Sequence, residues 1–480
     1  MKLNELIKNI NFSGDVDSRY ISGIIHDSRK VKENSLFIVI EGENEDGYKY
    51  IAEAIEKGAT AIIANGRQVE NVDVPVIHVK NTRKIMSRLA SNYYGNPSKK
   101  MKITGITGTN GKTSTCILSS FILNDNNIAS GSLGTLGFGT PSGMMSTGFT
   151  TPESIDLHQM LNTLQNGGIN NAIMEISSHA ISFHRTNDID VDIALYTNLS
   201  EEHLDYHGNM DEYFMVKKKL FSGLKSSNTC IVNIDDKYSN QIKSSTKASI
   251  VTYSLFKKAD IYVTDYSLSI NGTKATVSIF NKKFNLETNL IGEFNLYNTL
   301  AAIAISTQYN IPRSNIINSL RKFKSVPGRM EILEGVGKRN IIIDYAHTPD
   351  AYEKILSTIK NITEKNIITL FGCGGDRDKS KRSKMGKISE KYSEFVFVTS
   401  DNPRSENIDD INKEIVSEMD PNRYSIINSR RDAIIKAIDR LNEDSILLVL
   451  GKGRDDYEII NGNTYTHSDI DTIKEYLNAF

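Results

Sequence analysis

The chain reads as an α/β protein of three domains. The first is a small N-terminal α/β domain. The second is a central P-loop ATPase domain with a parallel sheet and a β appendage. The third is a C-terminal domain of Rossmann-like rhythm. Three observations carry that reading. Strand-length apolar runs alternate with helix-length periodic stretches through most of the 480 residues. Two polar, turn-rich breaks interrupt the pattern, Gly95-Asn96-Pro97-Ser98-Lys99-Lys100 and Val326-Pro327-Gly328-Arg329. Just after the first break comes the glycine-rich run Gly105-Ile106-Thr107-Gly108-Thr109-Asn110-Gly111-Lys112-Thr113, set between a strand and a helix start. The domains are expected at 1–97, 98–327 and 328–480.

In the N-terminal domain the expected strands are residues 35–40, 59–64 and 74–79. In the central domain a short strand at 101–104 leads into the glycine-rich turn, and Cys116-Ile117-Leu118 with Phe121-Ile122-Leu123 mark the helix after it. Strands at 171–176 and 193–197 alternate with helical stretches, the pattern of a parallel sheet covered on both faces. Residues 259–291 look different: a run at 274–279 behind an Asn271-Gly272 turn suggests a β-hairpin appendage. The C-terminal domain is expected to carry strands at 340–344, 366–371, 395–398 and 445–450.

Composition excludes several classes. With 39% hydrophobic and 24% charged residues, the chain is an ordinary globular protein. A net charge of −1 gives no bulk field toward nucleic acid or membrane, so neither is an expected partner. No apolar run is long enough to span a bilayer, and Met1-Lys2-Leu3-Asn4-Glu5 lacks the apolar core of a secretion signal. Cys116, Cys230 and Cys373 lie too far apart for a disulfide framework or a zinc pattern. The cytoplasm is the expected compartment.

The glycine-rich turn aims backbone N–H groups and the positive end of a helix at phosphate. Gly108, Thr109, Asn110 and Gly111 would form the cradle of an ATP site. Lys112 would reach the β/γ-phosphates, and Thr113 would offer its hydroxyl to Mg²⁺. The spacing departs from the usual P-loop, since Ile106 stands where a glycine is common. A chance glycine-rich turn is the plainer alternative, and the flanking strand and helix argue against it.

Further polar residues sit at expected strand ends. Glu175 opens Glu175-Ile176-Ser177-Ser178-His179, and His203 follows the strand at 193–197. Either alone reads as a solvated loop residue. Together beside a phosphate loop they point to a metal site at the carboxyl edge of the sheet. Lys217 lies in a helix. At about 100° per residue, Tyr213, Leu220, Phe221 and Leu224 fall within about 60° of it, so its amine faces the apolar side. Burial there favours the neutral amine, which can take up CO₂ as a carbamate and so become an anionic metal ligand.

In the C-terminal domain three polar turns follow three strands. They contain Arg377, Asp401-Asn402-Pro403-Arg404 and Gly451-Lys452-Gly453-Arg454-Asp455. Arg377 and Arg404 present planar forks suited to a carboxylate, and Asp401, Asn402 and Asp455 could hold an ammonium. The set looks like a receptor for a zwitterion. Ordinary surface turns with salt bridges are the alternative for any one of them.

The chain resembles the Mur ligases, ATP-dependent enzymes that build the peptide of peptidoglycan. The resemblance rests on Thr107 to Thr113, Thr150-Thr151-Pro152, Glu175 to His179, Asn198-Leu199-Ser200 through His207, Tyr213 with Lys217, Gly292-Glu293-Phe294-Asn295-Leu296-Tyr297-Asn298, Pro327 to Glu331, Asp344-Tyr345-Ala346-His347-Thr348-Pro349 and Asp401 to Arg404. It implies ATP and Mg²⁺ as cofactors, with Thr113, Glu175, His203 and carbamylated Lys217 on the metal. It implies catalytic roles for Lys112, Glu175, His203 and Lys217. Asn295, Arg329, Asp344 and His347 would contact ATP. Ser28, Thr150, Thr151, Ser177 and Arg185 would hold a UDP-muramoyl dipeptide. Arg377, Arg404, Gly451 and Asp455 would receive a diamino-dicarboxylic amino acid. The implied reaction adds meso-diaminopimelate to UDP-N-acetylmuramoyl-L-alanyl-D-glutamate through an acyl phosphate, in a monomeric enzyme.

Three positions depart from the family pattern. The family's turn commonly reads Gly-Lys-Gly-His-Glu where this chain has Arg454 and Asp455; Glu202 stands where Asp is usual; and Phe183 stands where a glutamine can meet substrate. The shorter Asp455 keeps meso-lanthionine and L-lysine open as the amino acid. A folylpolyglutamate synthase, which lacks the N-terminal domain, and a P-loop switch without ligase activity are the remaining alternatives.

Overall fold

Strand Lys102–Thr107 lies inside a sheet whose neighbours bury it on both faces. The computed structural model describes residues 1–42, 45–333 and 340–478, which divide into two units. The first unit comprises Met1–Tyr262, Ile279–Asn281 and Asn298–Ser319; the second comprises Val263–Ser278, Lys282–Tyr297 and the chain from Leu320 onward.

The main sheet of the first unit runs in the order Ser249–Ser254, Thr229–Asn233, Ile193–Tyr196, Lys102–Thr107, Asn171–Glu175, Ser130–Gly134, then Gly137–Thr140 and Gly143–Met145. The first six pair in parallel and the last two fold back as an antiparallel edge. The expected turn at Gly105 is corrected here. Gly105 is a strand residue, paired with Met174 on one side and Ala194 on the other. A Cβ on it would come within 2.5 Å of Ile176 Cδ1, so the glycine allows close packing inside the sheet. The turn proper spans only Gly108 to Gly111, and helix Lys112–Asp125 follows.

The N-terminal sheet orders Gly23–Ile25, Ser35–Ile38, Ala59–Ala64 and Val76–His78, all parallel. Two strands are shorter than periodicity suggests. Strand Gly23–Ile25 lies outside that reading altogether, because three residues give no period to detect. The polar break before the central domain is a packed 3-10 turn, Pro97–Lys100, with Pro97 and Ser98 buried. Ser98 Oγ accepts a hydrogen bond from Asp190 N at 3.1 Å. Beside it, helix Thr82–Tyr93 packs on helix Ser154–Asn166, and Ile155 joins the N-terminal core.

In the second unit the sheet order is Glu331–Ile332, Asn340–Asp344, Ser445–Leu450, Asn366–Phe371, Phe395–Val398 and Tyr424–Ile426, parallel except for the first pair. The three polar turns therefore leave adjacent parallel strands along one rim. A hairpin, Tyr457–Ile460 with Asn463–Thr466, follows the last of them. The appendage has three strands, Ile261–Ser269, Gly272–Ile279 and Lys282–Thr288, where a single hairpin is expected. The third is masked in the sequence by its polar residues, since only Leu286 and Thr288 of it are buried.

Beneath the rim lies a fully buried ion pair. Arg430 donates to both carboxylate oxygens of Asp469 at 2.8 and 2.7 Å, and both side chains are 0% exposed. Its other N–H groups reach Ser400 O at 3.0 Å and Leu450 O at 3.1 Å, the last residues before two of the polar turns. His467 Nε2 lies 2.8 Å from Asp469 Oδ1. The Arg430 guanidinium holds the Asp469 carboxyl well below the usual carboxylate range. Removing one partner would leave the other charged and buried. An Arg430→Ala variant should lose about 3–5 kcal/mol of stability, read from urea unfolding. A loss under about 0.5 kcal/mol, the range of ordinary surface substitutions, would contradict this account.

Candidate functional site

The glycine turn is held by residues that leave the neighbouring strand Ile193–Tyr196. Asn198 O accepts Thr109 N at 2.8 Å, and Asn198 Oδ1 accepts Asn110 N at 3.0 Å. Asn198 Nδ2 and Thr197 Oγ1 donate to Asn110 O at 3.1 and 2.7 Å. Ser200 N donates to Thr109 Oγ1 at 3.0 Å. Two glycines make this fit possible. Gly108 (φ 148°) and Gly111 (φ 86°) sit in conformations that favour glycine. A Cβ would run into Thr197 Oγ1 at the first and Asn298 Oδ1 at the second. Nothing in the sequence marks Thr197, Asn198, Ser200 and Asn298 for this task, although Asn198, Ser200 and Asn298 stand in the motifs quoted above.

Two lysines converge on the same carbonyl. Lys112 Nζ donates to Gly108 O at 3.0 Å and to Thr109 O at 2.7 Å. Lys217 Nζ donates to Gly108 O at 3.0 Å from helix Met210–Ser222 and lies 4.5 Å from the centre of the Tyr213 ring. Lys217 is 1% exposed. Burial holds its amine well below the usual lysine range, and the nearby Lys112 pushes the same way.

Glu175 closes the other side of the turn. Its Oε2 accepts from Thr113 Oγ1 at 3.0 Å and its Oε1 from Thr135 N at 2.8 Å. Thr135 Oγ1 in turn meets Thr150 Oγ1 at 3.0 Å. A buried carboxylate paired with a P-loop hydroxyl is the hard-oxygen donor set that a magnesium ion accepts, so these residues fit the implied metal. Among the described residues no three His, Cys, Asp or Glu side chains group as a metal site. His203 caps the short helix Leu204–His207 with φ 57°. Its ring lies 4.8 Å from that of His179. Burial lowers its pKa despite Glu202 beside it, which favours the neutral imidazole.

Several residues expected on the dipeptide have partners within the chain. Ser28 Oγ donates to Glu53 Oε2 at 2.8 Å. Thr151 Oγ1 donates to Glu175 O at 2.8 Å and accepts Ser177 N at 3.1 Å. Ser177 Oγ caps helix Ser178–Ser182 through Ala180 N. Arg185 binds Glu153 Oε1 through two nitrogens at 3.0 and 2.6 Å and Thr151 O at 3.0 Å.

The second unit gathers a separate polar cluster. Asp344 Oδ2 and Oδ1 accept Met330 N at 2.6 Å and Ala346 N at 2.7 Å, and burial raises its pKa. Arg329 lies 4.7 Å from the Tyr345 ring. His347 Nδ1 sits 3.0 Å from Tyr345 O. Asn295 Nδ2 donates to Ile291 O at 3.0 Å. Along the rim, Arg404 (φ 52°) donates to Gly375 O at 2.7 Å, and Arg377 is exposed with Nη1 3.1 Å from Asp376 O. The buried Lys452 ammonium donates to Tyr457 O at 2.8 Å and lies 3.5 Å from Asp401 Oδ1. Burial pushes the Asp455 carboxyl up to about 6, against the opposing pull of Lys452. Asn402 is committed to the fold: its Oδ1 accepts Ile459 N at 2.9 Å, and its Nδ2 meets Asp401 Oδ1 at 3.0 Å. Arg454, which replaces the family's histidine, binds Glu331 through Nε at 2.9 Å and through Nη2.

A glycine turn at the carboxyl edge of a parallel sheet, with two further α/β domains, defines a nucleotide-binding enzyme of modular build. Residues 106–306 match the Mur ligase middle domain, residues 328–453 the Mur ligase glutamate ligase domain, and residues 20–94 the Mur ligase family catalytic domain. The UDP-N-acetylmuramoyl-L-alanyl-D-glutamate–2,6-diaminopimelate ligase of Caldanaerobacter subterraneus is 38% identical, with 99% of each chain covered. The enzyme of the same name from Aquifex aeolicus is 39% identical over 95% of this chain and 94% of its own. This chain belongs to the Mur ligase family. A solved structure bearing the same name superposes with a TM-score of 0.71 at 29% identity, covering 100% of this chain and 99% of its own. A folylpolyglutamate synthase from Mycobacterium tuberculosis shares the fold over 75% of this chain and 91% of its own, with a TM-score of 0.62 at 16% identity. The three-domain architecture is that of the Mur ligases.

The clamp on the turn can be tested without touching the phosphate-facing groups. Asn198→Ala removes two side-chain hydrogen bonds to Asn110, worth about 1 kcal/mol each. ATP affinity measured by calorimetry should fall by up to about thirtyfold, since about 2 kcal/mol in all is lost and about 1.4 kcal/mol is a factor of ten. Unchanged affinity would show that the turn holds its shape without Asn198.

Proposed function

We propose that this chain is an ATP-dependent amide ligase that adds meso-diaminopimelate to UDP-N-acetylmuramoyl-L-alanyl-D-glutamate, a step in building the peptide of peptidoglycan. Lys217 carries this reading. A P-loop switch has no use for a buried amine against its phosphate turn, whereas a carboxylate-activating ligase does. The names of the full-length relatives and the Asp401-Asn402-Pro403-Arg404 turn support the choice of amino acid.

The γ-phosphoryl group of ATP passes to a carboxylate of the dipeptide's D-glutamate. An acyl phosphate and ADP form. The free amine of the amino acid then attacks the acyl carbon, a C–N bond forms, phosphate leaves, and the ammonium proton is lost. Two anions must meet in the first step. Lys112 leaves the Gly108 and Thr109 carbonyls to meet the phosphates, and the N–H groups of residues 108–113 hold them. Thr113, Glu175, His203 and the carbamate of Lys217 would hold Mg²⁺, which when bound neutralises charge on the phosphoryl oxygens. Arg329, Asp344, His347 and Asn295 are further contacts of ATP. Ser28, Thr150, Thr151, Ser177 and Arg185 hold the UDP-linked dipeptide. Arg377, Arg404, Asp401, Asn402, Pro403, Gly451 and Asp455 make the amino-acid receptor, in which Asn402 shapes the turn.

We place the domain boundaries at 97/98 and 327/328. We also place the enzyme in the cytoplasm, in keeping with its three buried cysteines that form no disulfide, and take it to act as a monomer.

Phosphate release should require ATP, the UDP-muramoyl dipeptide and an amino acid together. Diaminopimelate should give the highest kcat/KM, with lanthionine second and L-lysine last because it leaves the arginines unpaired. Phosphate release without dipeptide or amino acid would favour the switch; a large preference for lysine would refute the role of Arg404. Replacing Lys217 by Ala should cut kcat at least about 100-fold, the scale on which displaced catalytic groups cost rate. Added formate should restore part of it by standing in for the carbamate. Full activity in Lys217→Ala would rule out the carbamate.

A further inference from the structure

Glu153 is faced by more positive charge than its single carboxylate balances. Its Oε1 accepts from Arg185 Nε at 3.0 Å and Nη2 at 2.6 Å, and Arg83 Nη1 approaches the same atom at 3.5 Å. The second carboxylate oxygen, Oε2, is buried and has no hydrogen-bond partner. Two guanidinium groups on one carboxylate leave a net charge of +1 at this spot. Such an excess is stable where an anion comes to share it.

Both arginines are held on aromatic rings. The Arg83 guanidinium lies 4.8 Å from the centre of the Phe183 ring, and that of Arg185 lies 5.6 Å from Phe183 and 5.8 Å from Phe149. Stacking fixes a guanidinium plane and leaves its N–H edge free to donate. Arg83 stems from helix Thr82–Tyr93 of the N-terminal domain, and Arg185 follows helix Ser178–Ser182 of the central domain. The side chains are 25% and 14% exposed, so a ligand can reach them. Arg185 also holds Thr151 O, which ties the pair to Thr150, Thr151 and Ser177. Phe183 stands where relatives of this family can present a glutamine, and a phenyl ring cannot donate.

We propose that Arg83 binds the carboxylate of the dipeptide's D-glutamate that does not react, acting beside Arg185 and replacing the polar contact absent at Phe183. D-glutamate at the end of a dipeptide carries two carboxylates. One becomes the acyl phosphate; the other stays charged throughout and needs a cation. Arg83 therefore sets specificity for a free carboxylate at that position. This rests on the ligase reading above.

The test compares the UDP-muramoyl dipeptide with its analogue in which the non-reacting carboxylate is a carboxamide. The full enzyme and the phosphate-release assay are used. Wild type should prefer the carboxylate. Arg83→Gln should cut that preference roughly tenfold by raising the KM for the dipeptide, the size of one lost charge-assisted contact. The KM values for ATP and for the amino acid should stay put. Arg83→Lys, which keeps the charge, should retain part of the preference, and thermal midpoints identify any variant that fails to fold. An unchanged carboxylate preference in Arg83→Gln, or KM values that rise together for all three substrates, would overturn the assignment. If wild type uses neither dipeptide, the ligase reading itself fails, and this inference falls with it.

Discussion

The carbonyl of Gly108 sets the terms for the nucleotide site. The turn has no room for a Cβ at Gly108 or Gly111, and its carbonyls at Gly108 and Thr109 are met by two lysines from different helices. Lys112 begins the helix that follows the turn and is partly exposed. Lys217 comes from a helix about a hundred residues on (sequence separation 109) and is enclosed. One lysine thus stays in reach of solvent and the other does not. Desolvation separates their chemistry.

Charge is used differently in the second unit. There the polar turns are braced from below by Arg430 and Asp469, which bind the carbonyls of Ser400 and Leu450. Lys452 ties the two turns to each other through Asp401 and Tyr457. The turns after Ser400 and Leu450 are therefore tied into one polar frame. Asn402 belongs to that frame, since its amide is spent on Ile459 and Asp401.

The layout was legible in the sequence wherever apolar runs are continuous. Strands 366–371, 395–398 and 445–450 are buried on both faces, and their runs of Ile, Leu, Val and Phe leave little choice. The burial of Lys217 followed from helical spacing alone. Short or polar strands stayed hidden, as Gly23–Ile25 and Lys282–Thr288 show. Gly105 read as a turn because glycine carries no side chain to place it. Asn198 and Asn110 are 88 residues apart, and no local pattern reveals a hydrogen bond of that span. Arg430 opens an amphipathic helix, where an arginine ordinarily faces water, and only the folded chain shows its buried carboxylate partner. Arg454 read only as a departure from the family's turn, and the folded chain gives it a partner in Glu331.

The segment 95–100 has the composition of a linker, yet Pro97 and Ser98 are buried and Ile155 of the central domain completes the N-terminal core. Two domains that share apolar side chains cannot lose them separately. A substitution at Ile155 is therefore felt on both sides of the boundary. In evolutionary terms the N-terminal domain is not a freely exchangeable module: a transplanted copy would arrive without the side chain that Ile155 lends its core.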